Sequence, residues 1–194
     1  ITDNSEIENA TVSIDKISGI AGDETVTVVV VADEKYEFVA EPVINIEGAV
    51  ATLKEFREST IVIAVDGFTT ENVVIDVDAE TKRTAKSLLA EVKPIVEALI
   101  AEYTATNDTT AEELQKLVNE AIADYIALGV VAEVTISDKQ DATYHASGSL
   151  TGNVGLSCED ETDGVEISKE IAQMDMPIPV IVTNPENITV IDGS

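Results

Sequence analysis

Basic side chains are scarce. Eleven lysines and arginines stand against 38 aspartates and glutamates in 194 residues, a formal net charge of −27. Phosphate backbones and anionic bilayers are bound through clustered positive charge, so neither nucleic acid nor an anionic membrane surface is an expected partner. Cysteine is almost absent. Cys158 stands alone, which excludes an internal disulfide. A secreted animal protein of this size would be expected to carry bridges, so their lack points to a bacterial or an intracellular chain. One cysteine and one histidine, His145, do not make a zinc site. There is no Trp, with three Phe and four Tyr. The core must therefore be built from Val, Ile, Leu and Ala, and a sugar-binding strip would have to draw on Tyr36, Tyr103, Tyr125 and Tyr144. No apolar run reaches membrane-spanning length, which argues against membrane insertion. No glycine-rich phosphate loop opens a helix and no Gly-x-Ser-x-Gly elbow occurs. No signal peptide is visible, and Ile1 reads as the start of an excised fragment.

What is present is the composition of a folded protein. Apolar residues make up 44% of the chain, too many for a disordered one despite the charge. The acids are spread along it: eighteen against five bases in residues 1–82, eight against four in 83–128, twelve against two in 129–194. Such a surface is solvated and self-repelling. Its sharper alternative is calcium binding, through Glu159–Asp163 or through Asp76, Asp78 and Glu80, although neither cluster has EF-hand spacing.

From Ala10 to Asp78 the pattern is that of strands. Val12, Ile14 and Ile17 alternate with polar residues. Thr25–Val31 is a β-branched run, and Tyr36 and Phe38 continue it after the Asp33–Lys35 turn. Val43–Ile46, Ala49–Phe56, Ser59–Val65 and Glu71–Asp78 follow, while residues 1–10 look frayed. Six or seven short strands without helices predict an antiparallel β-sandwich over residues 1–80.

The period then changes. Ala85, Leu88, Leu89, Val92, Ile95, Val96, Leu99, Ile100 and Tyr103 follow helical spacing, with Pro94 read as a kink inside the helix. A second helix is expected from Thr109 or Thr110, each with a glutamate at capping-box distance, through Leu114, Leu117, Val118, Ala121, Ile122, Tyr125 and Ile126 to a stop at Gly129. Strands resume at Val130–Ser137, Thr143–Cys158 and Val165–Ile171, with an acidic turn at Glu159–Gly164. Residues 81–175 thus read as a helical hairpin packed on a three-stranded antiparallel sheet. Pro177, Pro179 and Pro185 mark residues 176–194 as a linker, with Asn187–Ile191 opening a further module. The chain as a whole is mostly β with an α+β part.

Chemistry is hard to find. In a regular strand His145 shares the solvent parity of Thr143, Ser147, Ser149, Thr151, Asn153 and Ser157. Cys158 shares the core parity of Tyr144, Ala146, Leu150, Val154 and Leu156, which disfavours a Cys–His dyad unless Gly148, Gly152 or Gly155 marks a bulge. A Lys–Asn cross-link would need Lys16 or Lys35 with Asn45 or Asn72, and nothing singles out a pair. The Asn-x-Ser/Thr matches at Asn9, Asn107 and Asn187 occur at chance frequency. No residue is assigned a catalytic, cofactor-binding or metal role.

The segment Tyr103-Thr104-Ala105-Thr106-Asn107-Asp108-Thr109-Thr110, with its helix and then Gly148-Ser149-Leu150-Thr151-Gly152-Asn153-Val154 and the acidic turn, resembles a repeated module of large surface proteins of Gram-positive bacteria. The N-terminal part resembles the bacterial immunoglobulin-like modules found beside it. The stretch Val182-Thr183-Asn184-Pro185-Glu186-Asn187-Ile188-Thr189-Val190 resembles the first strand of another. The resemblance implies an immunoglobulin-like sandwich followed by a small α+β module. It also implies an extracellular, cell-surface or cell-wall location, and a non-catalytic role as structural spacer or in adhesion. The expected partners are neighbouring modules of the same polypeptide and a host or cell-wall glycan or protein. The alternative is a carbohydrate- or calcium-binding accessory module of a secreted polysaccharide-degrading enzyme. No cofactor is expected.

Overall fold

A computed structural model describes residues 1–176. The expected linker and further strand beyond Met176 lie outside these residues. The chain is mostly β, and its apolar side chains gather into two separate cores, one within residues 1–79 and the other within 85–171.

The first unit holds β1 (Thr2–Asp3), β2 (Ala10–Ile14), β3 (Val26–Ala32), β4 (Tyr36–Phe38), β5 (Val43–Glu47), β6 (Val50–Arg57), β7 (Thr60–Asp66), β8 (Val74–Asp78) and β9 (Thr81–Arg83). One antiparallel layer runs β2-β3-β7-β6. The other runs β1-β8-β5, and the β4–β9 pair continues the β5–β8 ladder past Pro42, with Val39 N donating to Glu80 O at 3.0 Å. Alternation fills the space between the layers. Val26, Val28 and Val30 of β3 and Ile61, Ile63 and Val65 of β7 point inward to meet Phe38, Ile75 and Val77 from the facing layer, all buried. Residues 1–10 are not frayed throughout. β1 pairs in parallel with β8, Thr2 opposite Val74 and Asp3 opposite Ile75. No alternation announces this strand; the open edge of β8 recruits it, because unpaired strand N–H and C=O groups seek partners.

The second unit holds α1 (Ala85–Glu102), α2 (Ala111–Ala121), α3 (Ala123–Ile126), β10 (Val131–Gln140), β11 (Gly148–Cys158) and β12 (Glu161–Ile171). The sheet order is β10-β11-β12, antiparallel throughout. Leu88, Leu89, Val92, Val96 and Ile100 of α1 and Leu114 and Val118 of α2 cover Leu150, Val154, Leu156, Val165 and Ile167 on one sheet face. The opposite face carries Thr135, Asn153, Glu166 and Ser168 and is left to solvent. Pro94 lies within an unbroken α1. Both it and Ala90, whose carbonyl it cannot serve, are on the exposed side, where water substitutes.

Four expectations are corrected here. Thr81–Arg83, placed by the sequence at the start of the α+β module, is strand and pairs with β4. The second helix divides at Ile122 (φ −114°, ψ 22°), which keeps that fully buried side chain in the core while α3 starts back toward the sheet, Val130 N donating to Tyr125 O at 3.1 Å. The segment from Thr143 becomes strand only at Gly148, because Thr143 Oγ1 accepts from His145 N and Ala146 N and folds residues 143–146 into a turn. The acidic turn is only Glu159-Asp160, and Glu161–Gly164 already pairs with β11. A bulge does occur, but on β10 between Ile136 and Asp138, facing Gly152. A Cβ on Gly152 would lie 2.1 Å from Thr135 O, so only glycine fits there. β11 itself stays regular.

Side chains that serve backbone groups finish the second unit. The Asn107 amide donates to Ala142 O at 2.9 Å and accepts from Ala142 N at 2.7 Å. The Gln115 amide does the same for the free edge of β10, donating to Ala132 O at 2.9 Å and accepting from Val134 N at 2.8 Å. Lys169 Nζ donates to Ala101 O at 2.7 Å, at the C-terminal end of α1, where a cation is favoured. Together with the Lys93–Asp163 ion pair (2.8 Å) this contact shows that α1 and β12 advance side by side in one direction.

Candidate functional site at the junction of the two units

The feature that sets this chain apart lies where the two cores meet. β9 ends at Arg83 and α1 begins at Ala85, so one residue, Thr84, separates strand from helix. Thr84 is the helix N-cap, its hydroxyl accepting from Ser87 N at 3.2 Å. Its own N–H donates to Lys35 O at 2.9 Å, and the Ser87 hydroxyl reaches the same carbonyl at 3.3 Å. Lys35 closes the turn between β3 and β4 with φ +75°, a left-handed conformation that costs a side-chain-bearing residue free energy. The first turn of α1 is thereby fastened to the first unit through backbone.

Charge adds a second tie. Glu91, one helical turn beyond Ser87, receives Arg83 Nη2 at 2.7 Å and Lys35 Nζ at 3.2 Å on one carboxylate oxygen, and the Tyr125 hydroxyl at 3.5 Å on the other. The guanidinium and then the ammonium hold the Glu91 carboxyl below the ordinary glutamate range, while partial burial opposes them. Glu91 in turn raises Arg83. Arg83 stacks its guanidinium over the Tyr36 ring, 5.7 Å from the centroid. Arg83 Nη2 is close to Glu91 but off the hydrogen-bonding direction, and Nε has no acceptor, so the contact is ionic. A third tie runs from Lys82 to Glu159 at 2.5 Å and Glu37 at 3.2 Å, joining β9 to the β11–β12 turn, and those two carboxylates raise the lysine. The Lys82 pair is exposed and adds little alone; Arg83 and Glu91, 24% and 32% exposed, are worth more. The arrangement fixes the first turns of α1 against β9 and the β3–β4 turn.

The residues that the sequence singles out fall elsewhere or take structural parts. His145 is exposed in the turn before β11 and Cys158 is buried at the far end of that strand, its thiol raised chiefly by burial. The acids of Glu159–Asp163 diverge, Glu159 to Lys82 and Asp163 to Lys93. Asp76 and Asp78 lie along β8. Among the described residues no group of three or more His, Cys, Asp or Glu is gathered to hold a metal ion. Lys16 bonds Glu24 at 2.6 Å and Lys35 bonds Glu91, while Asn45 and Asn72 are exposed. Three tyrosines are engaged: Tyr36 with Arg83, Tyr125 with Glu91, and Tyr103 with the buried Thr109 at 2.9 Å. Tyr144 is exposed. Asn107 is tied to Ala142, Asn9 sits in a left-handed turn, and Asn187 lies outside the described residues. No helix among the described residues is long and apolar enough to cross a membrane.

Glu91 and Arg83 carry no sequence motif. The only available signal was one basic residue just before, and one acidic residue two turns inside, a helix adjoining a strand region. Comparisons with protein families, curated proteins and solved structures find no match to this chain.

Proposed function

We propose that this chain is a non-catalytic structural spacer of a bacterial cell-surface protein: an immunoglobulin-like sandwich followed by a small α+β module, with its partners the neighbouring modules of the same polypeptide. The observation that carries the reading is the path of the chain. In the first unit the incoming strand β1 lies parallel to β8, and the chain leaves through Arg83, nine residues beyond Val74. That places the way in and the way out about 30 Å apart at roughly 3.3 Å per residue. In the second unit the incoming α1 and the outgoing β12 also run in one direction. A chain that enters each unit at one end and leaves at the other, with no linker between units, keeps its two ends apart. The layer order β2-β3-β7-β6 supports the immunoglobulin-like assignment, since it follows the A-B-E-D order of such sandwiches. The opposite layer is shorter, its last strand pairing both with the first strand and with the β4–β5 segment.

The test is a distance distribution between spin labels at Asn45→Cys and Glu170→Cys, one in each unit and both exposed. A spacer gives one narrow peak that broadens in Glu91→Ala. A wide distribution in the parent protein, unchanged by Glu91→Ala, would sink the reading.

A further inference from the structure

From the parallel β1–β8 pair we infer that the first unit is built to carry tension along its length, with β1 as the clamp; this rests on the spacer reading. The geometry is as follows. β1 begins beside Val74, and β8 continues through β9 to the exit at Arg83. A pull between the two ends therefore drags β1 backwards along β8, parallel to the strands. The bonds that join them lie across that direction: Thr2 N to Val73 O at 2.8 Å, Asn4 N to Ile75 O at 2.9 Å, and Val77 N to Ser5 Oγ at 2.8 Å. They are strained together, and none gives way until all are displaced. Hydrogen bonds weaken steeply with length and angle, so a set that must fail at once resists far more force than the same set opened one by one.

Ser5 makes this short strand effective. Its N–H and hydroxyl both donate to Asp3 Oδ1, at 3.0 and 2.6 Å, which fixes the hydroxyl so that its oxygen meets Val77 N. The Ile1 nitrogen adds an anchor to Ile17 O at 2.7 Å. The two paired residues themselves are exposed, and Ile1 and Ile7 on either side of them pack against the core. Behind the clamp lies β2, paired with β3 over five residues and next in line if β1 slides. At the exit, β9 is held in turn by the junction around Glu91, so the load passes to α1 without slack.

The claim concerns direction of pull, which separates it from ordinary stability. The whole chain is held by its N-terminus and by a cysteine at Lys86→Cys, loading β1 in shear, or at Glu71→Cys, where the second handle sits at the same end as the start of β1 and peels it away. Both are exposed positions, and Cys158→Ala makes the handle unique. In the first geometry unfolding lengthens the chain by about 270 Å, at roughly 3.5 Å per released residue. The expected result is an unfolding force about twofold or more higher in the Lys86 geometry, because forced unfolding reports the barrier along the pull. Ser5→Ala lowers that force and leaves the Glu71 value nearly unchanged. Asn4→Pro, which deletes the second donor, lowers it further. Equal forces along the two axes, or variants that lower both alike, would overturn the inference. If the forces are equal while the spin-label distribution is narrow, the spacer reading stands and the clamp does not; a broad distribution removes the spacer reading itself.

Discussion

The two units solve the same problem in different ways. The first stacks two layers of strands and lets alternation alone divide inside from outside, as in Val26, Val28 and Val30 against the outward Thr27, Val29 and Val31. The second lays helices on one face of a sheet, and its irregular points are closed by side chains acting as backbone partners: Asn107 on Ala142, Gln115 on the β10 edge, Lys139 on the carbonyls of Asn107 and Thr109. The first unit is specified by a period, the second by a period plus a few single residues. Damage should therefore spread evenly in the first and concentrate at named positions in the second.

The largest expected effects test whether the two cores are separate. Ile63→Ala and Leu150→Ala each empty a fully buried site, at a cost of about 3 kcal/mol. All helices among the described residues lie in the second unit, so ellipticity at 222 nm reports chiefly on that unit. Leu150→Ala should lower its melting temperature, and Ile63→Ala should leave it nearly in place; a common shift would make the two cores one cooperative body. Next comes glycine. Gly152→Ala forces a Cβ against Thr135 O and should cost about 2–3 kcal/mol in the second unit, whereas Gly22→Ala meets nothing and should be neutral or slightly stabilising. Denaturant titration of both variants would blur the contrast if the costs were alike.

The junction ranks third. Glu91→Gln should cost about 1–2 kcal/mol near neutral pH, since it leaves Arg83 partly buried without its counter-charge. Because the folded protein holds this carboxyl below its unfolded value, the contribution is complete above the ordinary glutamate range and is lost as pH falls through the depressed value. The difference in melting temperature between parent and variant should accordingly close in strong acid; a constant gap would mean that the contact is not ionic. The smallest effect concerns the acid excess. Eight of the eleven basic residues already pair with carboxylates, namely Lys16, Lys35, Arg57, Lys82, Arg83, Lys93, Lys116 and Lys139. Salt should then raise the melting temperature of both units by screening the remaining acids. Calcium should do no more than magnesium at equal ionic strength, and a calcium-specific rise would point to a bound ion.

Legibility followed the same division. The strands from Ala10 to Asp78, the apolar face of the helix from Ala85, the start of the second helix at one of Thr109 and Thr110, and the core parity of Leu150, Val154, Leu156 and Cys158 could all be read along the chain, because each depends on near neighbours; His145 is exposed, but in a turn and not by strand parity. The break at Ile122 and the bulge at Ile136–Asp138 could not, because both are adjustments to a surface assembled from distant segments.

The amino-acid sequence by itself determined that this would be an acidic, β-rich chain with a helical hairpin in its middle, since periods of 2 and 3.6 and the placing of caps are local matters of backbone geometry and burial. Only the tertiary structure decided that Thr2–Asp3 would lie along β8, that Thr81–Arg83 would join β4, and that Lys35, Arg83 and Glu91 would meet. Those contacts span up to about seventy residues of chain, and no local preference selects them. They exist because an open strand edge and a half-buried charge each need a partner, and folding brings one within reach.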